Sequence, residues 1–88
     1  MSSIKIDLTE ATTSQRGHLC DFMERNFDRQ YSHNPESKRY PRQIARCREI
    51  KEGKENVIFI TEAQFKFMET NEFFASVCNK FATITVED

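Results

Sequence analysis

The apolar residues of this 88-residue chain recur at two different spacings, and no other feature constrains the fold as strongly. Apolar and polar residues alternate over residues 4–8 and again over residues 82–86, which predicts two half-buried strands. Between them, residues 57–60 (VIFI) form a short continuous apolar run. Such a run is typical of a central strand that is covered on both faces. The sequence therefore predicts a three-stranded sheet with VIFI as its central strand.

In the remaining segments the apolar residues lie three or four positions apart, which is the spacing of one helical face. A first helix is expected over residues 14–30, after a capping box that begins at Thr12. A second helix is expected to begin near Pro41, because the first turn of a helix tolerates proline, and to end at Gly53. Both prolines and both tyrosines fall near the junction, so residues 31–41 are expected to form the longest and most mobile loop.

Residues 61–69 fit two patterns. Thr61 and Gln64 match a second capping box, which favours a helix, whereas the two phenylalanines of this segment alternate with other residues and would suit a hairpin with VIFI. The helix is the favoured interpretation, and a further apolar stripe predicts that helical structure resumes after a kink near residues 70–71. The order β-α-α-β-α-β then predicts one small α+β domain over residues 1–88, with helices packed on the sheet.

Positive charge is concentrated in one part of the sequence. Seven of the thirteen lysines and arginines fall within residues 38–54, where only two glutamates oppose them. This segment carries about +5, although the whole chain is formally −1 at pH 7 and residues 55–88 carry −4. The seven basic residues are Lys38, Arg39, Arg42, Arg46, Arg48, Lys51 and Lys54. A segregated charge of this kind is typical of a surface that docks an anionic partner.

The preferred interpretation of this segment is a nucleic-acid-binding surface on a non-enzymatic regulatory or inhibitory protein. Arginine binds phosphate through a planar fork of N–H donors, and Tyr31, His33 and Tyr40 are candidates to stack on unpaired bases. RNA is favoured over DNA, because RNA offers unpaired bases more readily. The candidate binding residues are therefore these three side chains and the seven basic residues.

Other interpretations of the same charge pattern stay open. One is a protein-binding inhibitor or adaptor, for instance a counter-defence or antitoxin-like protein, whose basic surface docks on an acidic partner without nucleic acid. Another is that the basic side chains form ion pairs within the domain, with Glu49, Glu52 or the acidic C-terminal half. The separated charges, and an apolar stripe on the C-terminal helix, would also suit a homodimer.

No pattern of catalytic, cofactor-binding or metal-binding residues is recognisable. His18 and His33 are expected on a helix surface and in the loop, where nothing in their spacing indicates that they act together. Gly17 and Gly53 are the two glycines, so no glycine-rich phosphate-binding loop can form. No closely spaced cysteine or histidine pairs indicate a zinc site. We therefore expect no enzymatic activity, no cofactor and no metal.

The cysteines and the N-terminal sequence bear on the cellular compartment. Cys20, Cys47 and Cys78 are odd in number, widely spaced and set among apolar residues, which predicts three reduced, buried thiols. The first residues lack the plan of a signal peptide, and no apolar run is long enough for a membrane span. The expectation is a cytoplasmic protein without a membrane partner.

The overall composition resembles that of another class of small proteins. Eight phenylalanines stand against two leucines, and lysine, glutamate and asparagine are frequent. In this respect the chain is similar to the small accessory proteins of T-even-like phages. The resemblance implies a protein that binds and disables or redirects a host factor, or one that binds RNA or DNA.

Overall fold

A computed structural model describes residues 3–87 of the chain. Its elements, in chain order, are β1 (Ser3–Asp7), α1 (Thr13–His33), α2 (Arg39–Lys51), β2 (Val57–Thr61), α3 (Glu62–Met68), α4 (Glu72–Phe81) and β3 (Thr83–Glu87). The predicted α+β class and the order β-α-α-β-α-β are confirmed, with the third helical segment divided into α3 and α4.

The three strands form one antiparallel sheet in the order β2-β1-β3. The prediction that VIFI is the central strand was wrong, because β1 lies between the other two strands and β2 is at an edge. Ile58 and Ile60 are buried under the helices, whereas Phe59 points to the opposite face and is 51% exposed. The apolar run is continuous because β2 carries apolar side chains on both faces, although only one face is covered.

All four helices lie on the same side of the sheet. Their apolar faces pack against the alternating isoleucines of β1 and β2 in one continuous core, whose largest buried side chains are Phe27 and Phe74. On the opposite side of the sheet, Lys5 lies between Phe59 and Thr85 in the strand register, and all three side chains are at least partly exposed. The domain therefore has two layers, and one face of the sheet is open to solvent.

The connection between α1 and α2 is shorter than predicted. Helix α1 continues to His33, and α2 already begins at Arg39, so only residues 34–38 connect them and the predicted loop over residues 31–41 was wrong. Pro41 is the third residue of α2, where a backbone N–H would have no intrahelical acceptor. The predicted position of Pro41 in the first turn of the second helix is therefore confirmed. Gly53 follows α2 with a φ of 79°, a conformation that favours glycine.

Both capping boxes are confirmed. The Thr12 Oγ1 accepts from the Gln15 N–H at 3.2 Å, and the Gln15 side chain accepts from the Thr12 N–H at 2.9 Å. The same reciprocal pair joins Thr61 and Gln64, so residues 62–68 are a helix and not the second strand of a hairpin. Asn71 caps α4 by accepting from the Phe74 N–H at 3.1 Å, which places the helix break at the predicted position.

The three cysteines are buried in the core, as predicted. Burial raises the pKa of the Cys78 thiol to about 12, and the neighbouring Cys20 thiol together with burial raises that of Cys47. The raised pKa of Cys47 and Cys78 disfavours the reactive thiolate form of these two side chains at neutral pH. Within residues 3–87, none of the helices has the length and hydrophobicity that crossing a bilayer requires.

Candidate nucleic-acid interface

The structure divides the seven basic residues of the 38–54 segment into two groups. Four of them form ion pairs within the domain: Arg46 with Glu49 and Glu55, each at 3.5 Å, Arg48 with Glu24 at 3.5 Å, Lys51 with Asp21, and Lys54 with Glu52 at 2.9 Å. These pairs neutralise most of the positive charge along the middle and the end of α2. The expected ion pairs are confirmed for Arg46 with Glu49 and Glu55 and for Lys54 with Glu52. Arg48 and Lys51 instead pair with Glu24 and Asp21 of α1, which the expectation did not include.

The Lys51–Asp21 pair shows the effect of this pairing on ionisation. The Lys51 ammonium donates a hydrogen bond to the Asp21 carboxylate, which lowers the pKa of Asp21 and raises that of Lys51. The pair thus extends the pH range over which both side chains are charged. Lys51 is accordingly occupied by a contact between α1 and α2.

The other three basic residues, Lys38, Arg39 and Arg42, are exposed, and no ion pair of theirs is found within residues 3–87. They occupy the N-cap and the first residues of α2, whose first turn contains no acidic residue. The N-terminus of a helix carries a partial positive charge and favours anions, so three cations there do not stabilise the helix. Their position is instead suited to an external anion.

These three cations lie along one side of a groove of about 640 Å³ between α2 and β2. Its lining consists of Ser3, Lys38, Arg39, Arg42, Gln43, Arg46 and residues 57–61. No aspartate or glutamate belongs to this lining in the part of the chain that the structure describes. Phe59 also belongs to the lining, and its ring is 51% exposed on the open face of the sheet, on the edge strand that borders the groove. Unpaired positive charge in the groove therefore lies beside an accessible aromatic ring. We refer to this groove as the α2–β2 groove.

The wall of the α2–β2 groove is fixed by hydrogen bonds to the outer edge of β2. The Leu8 N–H donates to the Asn56 carbonyl, so in the register of β1 and β2 the even-numbered residues of β2 bond to β1. The backbone N–H and C=O groups of Val57 and Phe59 therefore point away from β1. The Val57 carbonyl accepts from Arg46 at 3.2 Å, and the Phe59 carbonyl accepts from Gln43 at 3.4 Å. Side chains of α2 therefore hold the edge of β2 in place.

The aromatic residues predicted from the sequence are not brought to this groove. Tyr31 and His33 lie in the last turn of α1, and Tyr40 packs partly against the core. None of the three belongs to the groove lining. Their proposed stacking role therefore has no support from the geometry. Phe59 was missed because VIFI was interpreted as a strand covered on both faces.

A second, smaller groove of about 380 Å³ lies between α1 and the segment from α3 to α4. It contains Arg25 and Arg29 from α1 and the ring of Phe67, which is 56% exposed. It thus offers two unpaired cations and one exposed aromatic residue, whereas the α2–β2 groove has three unpaired cations and one such residue. The two sites are similar in kind and differ in positive charge.

The remaining titratable side chains do not assemble into a catalytic or metal centre. Among residues 3–87, no group of three or more His, Cys, Asp or Glu side chains is placed to hold a metal ion. His18 is exposed on α1, and its ring packs edge-on to Phe73 with centroids 6.5 Å apart. Comparison with protein-family models, with curated proteins and with solved structures finds no match to this chain.

Proposed function

We propose that this domain binds single-stranded nucleic acid, RNA in preference to DNA, in the α2–β2 groove. The observation that carries the proposal is a groove with three unpaired cations and, among residues 3–87, no acidic side chain in its lining, bordered by a strand whose Phe59 ring is exposed. Phosphates and bases alternate along a single strand, so a binding site for it needs both cations and aromatic surface.

In the proposed complex, the guanidinium groups of Arg39 and Arg42 bind phosphates in the positive field at the start of α2. Lys38 contributes a third, more flexible positive charge. The ring of Phe59 stacks on one unpaired base, which every base permits because every base has a π-face. The site therefore favours single strands over duplexes and has little sequence preference.

The charge count predicts the salt dependence of binding. Three unpaired cations displace about three counterions from a single strand, so the logarithm of the affinity should fall by about 2 for each tenfold increase in salt. Arg48, Lys51 and Lys54 are expected to contribute little, because their charges are already paired within the domain.

The first test compares two double variants that remove the same charge. Arg39→Ala/Arg42→Ala empties the α2–β2 groove of two cations, whereas Arg25→Ala/Arg29→Ala removes two arginines from the smaller groove. Fluorescence anisotropy with a labelled single-stranded RNA at low salt should show about a tenfold or greater loss of affinity for the first pair, since each phosphate contact is charge-assisted. The second pair should lose less than about threefold, through the long-range field alone.

The outcomes of this test distinguish position from net charge. Equal losses for the two double variants would contradict the assignment to the α2–β2 groove, because net charge alone would then explain binding. The absence of any binding by the wild-type protein at low salt would contradict the proposed function. In that case an acidic protein surface would become the candidate partner of the same groove.

The second test concerns the aromatic ring. Phe59→Ala should weaken RNA binding about fivefold or more, since stacking of one base contributes about 1–3 kcal/mol. Phe67→Ala is the matched control, because Phe67 is equally exposed but lies in the smaller groove. Its affinity should stay within about twofold of the wild type. A larger loss for Phe67→Ala than for Phe59→Ala would contradict the proposed site.

A further inference from the structure

The two outer edges of the sheet differ in how they are covered. The edge of β2 is occupied by the side chains of Gln43 and Arg46, which donate to its carbonyls. Strand β3 forms the other edge, and no hydrogen bond from another element to its outward backbone groups is found within residues 3–87. The edge of β3 is therefore a row of backbone donors and acceptors without partners in the monomer.

The strand register identifies the outward groups. The backbone N–H and C=O groups of residues 4 and 6 of β1, and of residue 8 after it, point toward β2. The odd-numbered residues of β1 therefore bond to Thr83, Thr85 and Glu87 of β3. The N–H and C=O groups of Ile84 and Val86 consequently point away from the sheet. These two residues present two donors and two acceptors along the open edge.

Apart from Glu87 at its end, the sequence of β3 lacks the usual protection of an exposed edge. Natural edge strands commonly carry proline, lysine or a bulge, whereas Thr83–Glu87 (TITVE) contains four consecutive β-branched residues that favour strand pairing. Val86 lies on the helix-covered side of the sheet but is 61% exposed, because the helices do not extend over it. The strand thus leaves both backbone groups and an apolar side chain uncovered.

We propose that the edge of β3 pairs with β3 of a second copy of this chain, in an antiparallel dimer that joins two sheets into one of six strands. A twofold axis at Thr85 places Ile84 opposite Val86 of the second copy, so four backbone hydrogen bonds form. On the helix-covered side each exposed valine gains an isoleucine neighbour. On the open side threonine meets threonine, and Glu87 lies opposite Thr83, so no like charges face each other.

The second copy is favoured over another protein because the strand is self-complementary in this register. This inference does not depend on the proposed function, since the free edge of β3 and the α2–β2 groove lie at opposite edges of the sheet. A single short strand pair gives a small interface, so the dimer belongs to the weak, concentration-dependent class.

The test is sedimentation velocity of the full chain at increasing concentration, up to about 1 mM, where a weak interface of this class becomes populated. The wild type should shift toward the dimer. Val86→Pro removes only an outward N–H, and proline is tolerated at such an edge position, so this variant should sediment as a monomer throughout. Val86→Ala keeps the N–H and is the matched control. It should still dimerise, with an affinity lowered by less than about tenfold.

Two outcomes would overturn the proposal. One is a wild type that stays monomeric throughout, and the other is a Val86→Pro variant that dimerises as well as the wild type. Amide hydrogen exchange of the wild type tests the same contact without a variant. The Ile84 and Val86 amides should become protected as concentration rises, whereas the inward Thr85 amide is protected at all concentrations. Concentration-independent exchange at Ile84 and Val86 would equally contradict the dimer.

Discussion

Gln43 and Gln64 are the two buried polar side chains of residues 3–87, and each satisfies the other. Their amide groups exchange two hydrogen bonds of 2.8 Å, and the Gln64 oxygen also accepts from the Thr61 N–H. The Gln64 amide, at the start of α3, therefore bonds both to α2 and to the end of β2. Since Gln43 also donates to the Phe59 carbonyl, this pair holds the backbone of β2 at the α2–β2 groove.

Replacing one partner of this pair should be costly. Gln43→Leu leaves the Gln64 amide N–H group buried without an acceptor, so the free energy of unfolding should fall by about 1–3 kcal/mol. Urea unfolding at pH 7 measures this change. Arg42→Leu places the same side chain at an exposed neighbouring position and should change stability by less than about 0.5 kcal/mol. Equal stability of Gln43→Leu and the wild type would show that the buried amide pair is not formed.

Helices α1 and α2 are joined by buried apolar contacts and, at their surface, by ion pairs that include Lys51 with Asp21. The hydrogen bond from Lys51 lowers the pKa of Asp21 below its ordinary value of 3.8. A lowered pKa in the folded state means that the pair stabilises the protein above about pH 4. This contribution is lost as the pH falls through the lowered pKa of Asp21.

The Asp21→Asn variant should therefore be less stable than the wild type at pH 7, and the difference should be smaller at about pH 2.5, where protonation of Asp21 weakens the pair. Because both side chains are partly exposed, the difference at pH 7 should be below about 1 kcal/mol. Urea unfolding at the two pH values measures it, with Asp28→Asn as a control at an exposed position of the same helix. A penalty for Asp21→Asn that is unchanged in acid would mean that charge is not its cause.

The local pattern of the sequence was sufficient to predict the helices and strands of this fold but not their arrangement in the sheet. Capping boxes and apolar periods depend on residues within one or two turns, so they locate α1, α3 and the three strands. Which strand is central depends on pairing between residues far apart in the sequence. For that reason the run VIFI was taken as a central strand, although Phe59 is exposed.

The candidate site shows the same limit. The cluster of positive charge is visible in the sequence, but the partners of each cation are not. Glu24 and Asp21 lie on α1, more than twenty residues from the basic side chains that they neutralise, so only the folded domain separates paired from unpaired charges. The structure thereby narrows the seven basic candidate residues to the unpaired Lys38, Arg39 and Arg42, and it adds Phe59 as a candidate.

Across residues 3–87, the α2–β2 groove keeps more unpaired positive charge than the smaller groove. The chain is formally −1, yet most acidic side chains near α2 are used in ion pairs along its middle and end. A local field of this kind attracts polyanions even when the net charge does not. We therefore propose that the nucleic acid binds at the start of α2 and along β2.

The most direct measurement is a titration of ¹⁵N-labelled protein with a short single-stranded RNA at low salt, followed by amide chemical shifts. The largest changes should fall at Arg39, Arg42 and Phe59 and at their neighbours in the α2–β2 groove. Their size should diminish as salt is raised, because phosphate contacts are displaced by counterions. Changes centred instead on the smaller groove around Arg29 and Phe67, or no changes at an excess of RNA, would contradict this assignment.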